Sequence, residues 1–172
     1  QGVIVPSIEL TIETPERSPL IVEARMAPFQ LGGLRAVHVI LRDVTAARAL
    51  ERERRRLAIA IEQAAEAIVI TDPNAHILYV NPAFERITGY SRDEALGQTP
   101  RILKSGRHTQ EFYRDLWATI SAGHVWRGRF VNRRRDGRLY NEEATISPVL
   151  DESGRIVHYV AVKRDVTAEL EM

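Results

Sequence analysis

Apolar and polar positions alternate along two stretches of this chain, and a helical stretch joins them. Near the N-terminus the alternation has a period of two, the signature of half-buried strands. It predicts strands at about Ser7–Glu13, Leu20–Pro28 and Leu34–Arg42. From Val44 to Gln63 there is no Gly or Pro, and Ala, Leu, Glu and Arg dominate. These are the best helix formers, and Asp43 or Thr45 can cap the start. Strand patterning resumes at Ala67–Asp72, turns at Asp72-Pro73-Asn74 and continues through Ile77–Val80. Asn81 then caps a helix that begins with Pro82 and ends at Gly89. Ser91-Arg92-Asp93-Glu94 reads as a capping box for a second short helix that stops at Gly97. Thr109 caps the longest of these helices, about Gln110–Ala122, whose apolar face is Phe112, Tyr113, Leu116, Trp117 and Ile120. Three strands follow, about Val125–Arg134, Arg138–Leu150 and Ile156–Arg164, with Asp136-Gly137 and Ser153-Gly154 at the turns. The order β-β-α-α-α-β-β-β predicts an α+β fold: a five-stranded antiparallel sheet with short helices on one face, enclosing a pocket of small-molecule size.

One segment occurs twice. Arg42-Asp43-Val44-Thr45-Ala46 recurs letter for letter as Arg164-Asp165-Val166-Thr167-Ala168, and Glu23-Ala24 with Pro28 is echoed by Glu143-Ala144 with Pro148. Such self-similarity means two copies of one module. On this reading residues 1–45 are the last strands of a truncated first copy and 46–65 a connector helix. Residues 66–168 are a complete second copy, and 169–172 start an outgoing helix. Leu50, Leu57, Ile61 and Ala64 form a stripe on the otherwise charged connector. Two readings stand: a solvated connector, or a short parallel coiled coil that pairs two protomers into a homodimer.

Composition narrows the function by exclusion. Charges nearly cancel, 24 basic against 23 acidic, so no global field favours nucleic acid or a membrane surface. The chain has no cysteine, which removes disulfides, thiolate metal sites and a catalytic thiol. With no run of ~20 apolar residues, it reads as soluble and cytoplasmic. No Ser/His/Asp, metal-ligand or P-loop pattern appears, and the adjacent Glu142 and Glu143 point to opposite faces of a strand, so an enzyme is not expected. Arg54-Arg55-Arg56 and Arg133-Arg134-Arg135 adjoin acidic residues and read as a solvated helix face and hairpin tip.

Asn81-Pro82-Ala83-Phe84, Thr88-Gly89-Tyr90 and Glu94-Ala95-Leu96-Gly97 resemble the first half of the PAS signature. Trp126-Arg127-Gly128, Asn132–Gly137, Ser147-Pro148-Val149 and Arg164-Asp165-Val166-Thr167 resemble its second half, the PAC motif. The resemblance implies sensing, dimerisation and relay to an output domain, commonly a histidine kinase or cyclase, elsewhere in a two-component or similar parent protein. PAS domains hold flavins, haem or small metabolites, or remain empty. Blue-light adduct chemistry needs a cysteine after Gly97, where this chain reads Gln98-Thr99-Pro100-Arg101.

From Ile77 to Thr167 the chain is most similar to the FAD-binding redox-sensing PAS domains of the NifL and MmoS type. That likeness implies FAD contacts from Asn81, Trp117 and Asn132. It also departs from them, because their Glu after the Leu-Gly pair falls on Pro100 here. Strand alternation independently turns Trp126, Gly128, Phe130 and Asn132 to one face, marked as inward by its aromatics. The expected cofactor-binding residues are therefore Asn81, Trp117, Trp126, Phe130 and Asn132, and the expected signalling residues Asp165 and Thr167. An inward Asn needs a partner, either a ligand edge or backbone. Haem would need an axial His; His76, His108, His124 and His158 read as ordinary polar positions.

Overall fold

The computed structural model describes residues 7–15 and 17–170. It divides into two compact units, Gln1–Ala58 and Ile59–Met172. In the first unit, β1 (Ile8–Thr14), β2 (Arg17–Leu31) and β3 (Leu34–Asp43) form an antiparallel meander. Alternation puts Leu10 opposite Val22, and Ala24 opposite Leu41, on one apolar face. Val22 and Ala24 are buried, while Ile8, Leu10, Ile12, Val39 and Leu41 are exposed. Helix α1 (Thr45–Glu62) follows and buries none of its residues.

The closing motif of β3 ties the chain back to the middle strand. Val44 N–H donates to Ile21 O at 2.9 Å, and Ile21 N–H donates to Thr45 Oγ1 at 2.8 Å. Asp43 Oδ1 accepts from the Thr45 amide (2.9 Å) and hydroxyl (2.6 Å), so the motif caps α1 by itself.

The second unit contains β4 (Ala67–Thr71), β5 (Ile77–Val80), α2 (Pro82–Thr88), α3 (Arg92–Ala95), a 3-10 turn at Pro100–Leu103 and α4 (Gln110–Ser121). It ends with β6 (Trp126–Arg133), β7 (Leu139–Leu150), β8 (Ile156–Asp165) and α5 (Thr167–Leu170). Its sheet is antiparallel in the order β5-β4-β8-β7-β6, so the last strand lies at the centre. The N-terminal caps form where sequence places them. Asn81 Oδ1 accepts from Phe84 N–H, Ser91 and Glu94 close a reciprocal box, and Thr109 Oγ1 accepts from Phe112 N–H. Gly89 ends α2 at φ 77°, a left-handed conformation that favours glycine.

Two apolar clusters pack the helices onto the sheet. One joins Val69, Ile77, Val80, Phe84 and Leu103, the other Leu116, Ile120, Trp126, Phe130 and Tyr159. The cavity between sheet and helices has walls in both clusters. The α+β reading, with a five-stranded antiparallel sheet, is the architecture found.

Candidate functional site

The cavity has a volume of about 880 Å³, within the usual range for small-molecule sites. Its walls are apolar and aromatic, from Val69, Ile77, Ile146, Tyr113, Trp117, Phe130 and Tyr159. Asn132 and Lys163 contribute polar groups.

Three of the expected residues meet on this cavity: Trp117, Phe130 and Asn132. Trp117 is 40% exposed, so it is a cavity wall rather than part of a sealed core, and its ring meets Tyr159 edge-on at 6.0 Å. Phe130 is buried. Asn132 points inward, and its partner is a side chain rather than backbone: Nδ2 donates to Glu142 Oε1 at 2.9 Å.

Asn81 and Trp126 do not line the cavity, which corrects the expectation for both. Asn81 is fully buried with its amide bonded to backbone throughout. Its Oδ1 accepts from Ile68 and Phe84 N–H, and its Nδ2 donates to Ile61 O and Glu66 O. It locks the segment before β4 to the start of α2 and has no capacity left for a ligand. Trp126 lies on the inward face, but its indole folds back over Gly128. A Cβ at Gly128 would collide with the indole ring. The ring instead packs edge-to-face on Phe112 and against Phe130.

A buried ion pair stands behind the Asn132 edge. Lys163 Nζ lies 2.6 Å from Glu142 Oε1, the same oxygen that accepts from Asn132, with side-chain exposures of 7% and 1%. Lys163 Nζ also sits 5.2 Å from the centre of the Phe130 ring. The Tyr140 hydroxyl is buried beside this group with no partner at hydrogen-bonding geometry among the described residues, and burial, then the Glu142 charge, pushes it well above the ordinary phenol range. Strand alternation does place Tyr140, Glu142 and Ala144 on one face. What it cannot supply is the cross-strand register, Ala144 opposite Lys163, that brings the opposite charges together.

Among the described residues no histidine lines the cavity. His108 is half-buried and stacked on Phe112, its Nε2 accepting from Val131 N–H at 2.8 Å, and burial holds its pKa below the ordinary value. Among the described residues there is no group of three metal-ligating side chains, and no helix is long and apolar enough to cross a membrane.

The expected signalling residues form a second cluster at the end of β8. Asp165 Oδ1 accepts from the Thr167 amide (3.0 Å) and hydroxyl (2.6 Å), while Oδ2 pairs with Arg134 at 2.6 Å. The same guanidinium donates to Ile87 O in α2 and lies 4.7 Å over the Tyr140 ring. Thr167 Oγ1 accepts from Asn141 N–H at 2.8 Å, and Val166 N–H donates to Asn141 O at 2.9 Å. Desolvation pushes the Asp165 carboxyl up, but the Thr167 and Arg134 bonds outweigh it and hold the pKa below the ordinary carboxylate value.

Residues 55–166 match the family profile described as the PAS fold. The chain belongs to the PAS family. Residues 2–46 match a second profile, described as a PAS domain. A nitrogen fixation regulatory protein of Klebsiella oxytoca is 46% identical over 107 residues, covering 62% of this chain and 22% of that protein. The bacterioopsin transcriptional activator of Halobacterium salinarum is 37% identical over 124 residues, or 70% and 18%. A blue-light photoreceptor of Listeria monocytogenes is 31% identical over 113 residues, or 64% and 44%. This chain thus spans under half the length of each. Among solved structures, the PAS domain of a Colwellia psychrerythraea protein matches with TM-score 0.62 and 26% identity, covering 67% of this chain and 98% of that one. A light-oxygen-voltage domain whose mechanism was addressed with a flavin analogue matches with TM-score 0.60 and 25% identity, covering 67% and 87%. The PAS domain here is accordingly a sensory module, and its cavity sits where helices and sheet meet.

Proposed function

We propose that this PAS domain senses redox state through a flavin, FAD, held in the cavity. The observation that carries the reading is one space of about 880 Å³ walled by Trp117, Phe130 and Asn132. A flat heteroaromatic ring suits the aromatic walls, and Asn132, oriented by the bond from Nδ2 to Glu142, offers its amide oxygen to a ring N–H. The flavin of relatives such as the light-oxygen-voltage domain adds support. A bound flavin supplies reversible electron transfer coupled to proton uptake. The protein's part is to hold the ring against Trp117 and to carry altered bonding along β7 and β8 to Asp165 and Thr167. On the same reading, residues 1–45 close a second PAS domain, and the parent couples both to an output domain such as a histidine kinase.

The direct test is purification with excess FAD. A yellow protein that releases flavin on denaturation is expected; a folded, colourless product with none rejects the reading and leaves a ligand-free relay module. Trp117→Ala should reduce flavin content at least tenfold with little loss of stability, because Trp117 is 40% exposed.

Pairing through α1 belongs to the same proposal. Leu50 and Leu57 are 63% and 56% exposed on a helix with no buried residue. Leu57→Asp with Ile61→Asp should convert dimers to monomers in light scattering; a wild-type monomer at high concentration sinks the pairing.

A further inference from the structure

The charged residues on the cavity wall share one sign. They are Arg101, Lys104, Arg114 and Lys163, all basic, and no carboxylate joins them among the described residues. The first three are exposed, while Lys163 is buried. Glu142, the counter-ion of Lys163, lies behind it and off the wall. An ammonium has three donors. Glu142 takes one, and no other acceptor meets Lys163 among the described residues.

A buried ion pair is seldom required for stability, since well-packed apolar residues in its place are often neutral or better. The first unit carries apolar residues at the matching positions, with Val22 buried and Leu41 exposed. Val22 faces Asp43 as Glu142 faces Asp165, and Leu41 pairs with Ala24 as Lys163 pairs with Ala144. Val and Leu thus stand where the complete domain has Glu and Lys. The charged pair is therefore no part of the strand pattern that the two units share.

We propose that Lys163, oriented by Glu142, is the ligand-reading cation of the cavity, and that it selects ligands presenting a carbonyl or anionic hydrogen-bond-accepting edge. This rests on the cavity being a ligand site and deepens the flavin reading: Lys163 takes the carbonyl edge of the ring, and Glu142 offsets the cost of holding an ammonium in an apolar wall.

The test is titration of the full chain with FAD and with riboflavin, which lacks phosphates and so reports the ring edge alone. Lys163→Met leaves Glu142 unpaired, so the decisive protein is the double variant Glu142→Val with Lys163→Leu, which copies the first unit. It should melt at or above the wild-type temperature and bind both flavins about 10- to 100-fold more weakly, the loss expected for a charged hydrogen bond. Wild-type affinity in a folded double variant overturns the proposal and leaves the flavin reading intact. So does weakening confined to FAD, which would place Lys163 at the phosphates. A double variant that melts well below wild type also overturns it, because the pair then serves the fold. A wild-type protein that binds neither flavin overturns both readings together.

Discussion

The three strands β1–β3 and the three strands β6–β8 follow the same register into the same exit motif, yet their corresponding faces differ. Val22 opposite Asp43 corresponds to Glu142 opposite Asp165. Ile12 opposite Leu20 corresponds to Asn132 opposite Tyr140, and Leu41 corresponds to Lys163. Where one face carries Ile, Val and Leu, the other carries Asn, Glu and Lys joined by hydrogen bonds of 2.9 and 2.6 Å. The exits share the Asp–Thr cap and its strand anchor, but among the described residues only Asp165 also takes a guanidinium, at 2.6 Å. Backbone and exit need only the common part. The polar group and the arginine are additions, and they lie at the cavity and between the exit and α2.

The sharpest way to break this comparison is to remove half of the buried pair. Glu142→Val alone leaves Lys163 buried and unpaired and should cost ~3–5 kcal/mol in urea unfolding. Adding Lys163→Leu should restore all of it. Equal stability of the single and double variants would show that Lys163 finds water or another partner, and that the pair is not a unit.

A smaller effect separates the exits. Asp43→Ala removes a cap and should cost about 1 kcal/mol. Asp165→Ala removes the same cap together with the Arg134 pair, whose side chains are 25% and 23% exposed, and should cost roughly 1–3 kcal/mol. Signal output in the parent should be uncoupled while flavin content stays unchanged. Matching losses at the two aspartates, measured by denaturant unfolding, would make the Arg134 contact ornamental.

How far these features were legible in the chain depends on how local they are. Asn81, Ser91 and Thr109 act on backbone within three residues, so capping patterns reveal them. The repeated exit motif is equally local. Trp126 was assigned to the correct face but the wrong role, because Gly128 two residues on lets the indole lie back along its own strand. Trp117 belongs to the apolar face of α4 by period, but at that position the sheet is replaced by cavity, and period cannot distinguish the two. Glu142 and Lys163 were missed because a charge in an inward register makes sense only once its opposite charge is placed, 21 residues away and across a strand pair. Asn81 shows the converse. Its place in the family signature suggested a ligand, whereas the structure commits both of its amide atoms to backbone.

The gentlest probe of the comparison is pH. Both exit aspartates have carboxyls held below the ordinary value of 3.8. The Thr45 bonds do this for an exposed Asp43, and the Thr167 and Arg134 bonds, working against desolvation, for a partly buried Asp165. A carboxyl lowered on folding contributes stability above its unfolded pKa, and that contribution disappears as pH falls through the folded one. Its acid loss therefore begins near pH ~4, the unfolded value, and completes below it. Other paired carboxylates, Asp72, Asp136 and Asp151 among them, set a common acid slope for every variant. Against that background, Asp165→Asn should flatten stability between pH ~4 and the acid limit, whereas Asp43→Asn should barely alter it, since the exposed Asp43 carboxyl is held by Thr45 hydrogen bonds with no charged partner among the described residues. Unfolding midpoints at a series of acidic pH values, taken at low and high salt, check both. If the two asparagine variants track each other, the exits are electrostatically alike, and the difference between the copies resides in the cavity face alone.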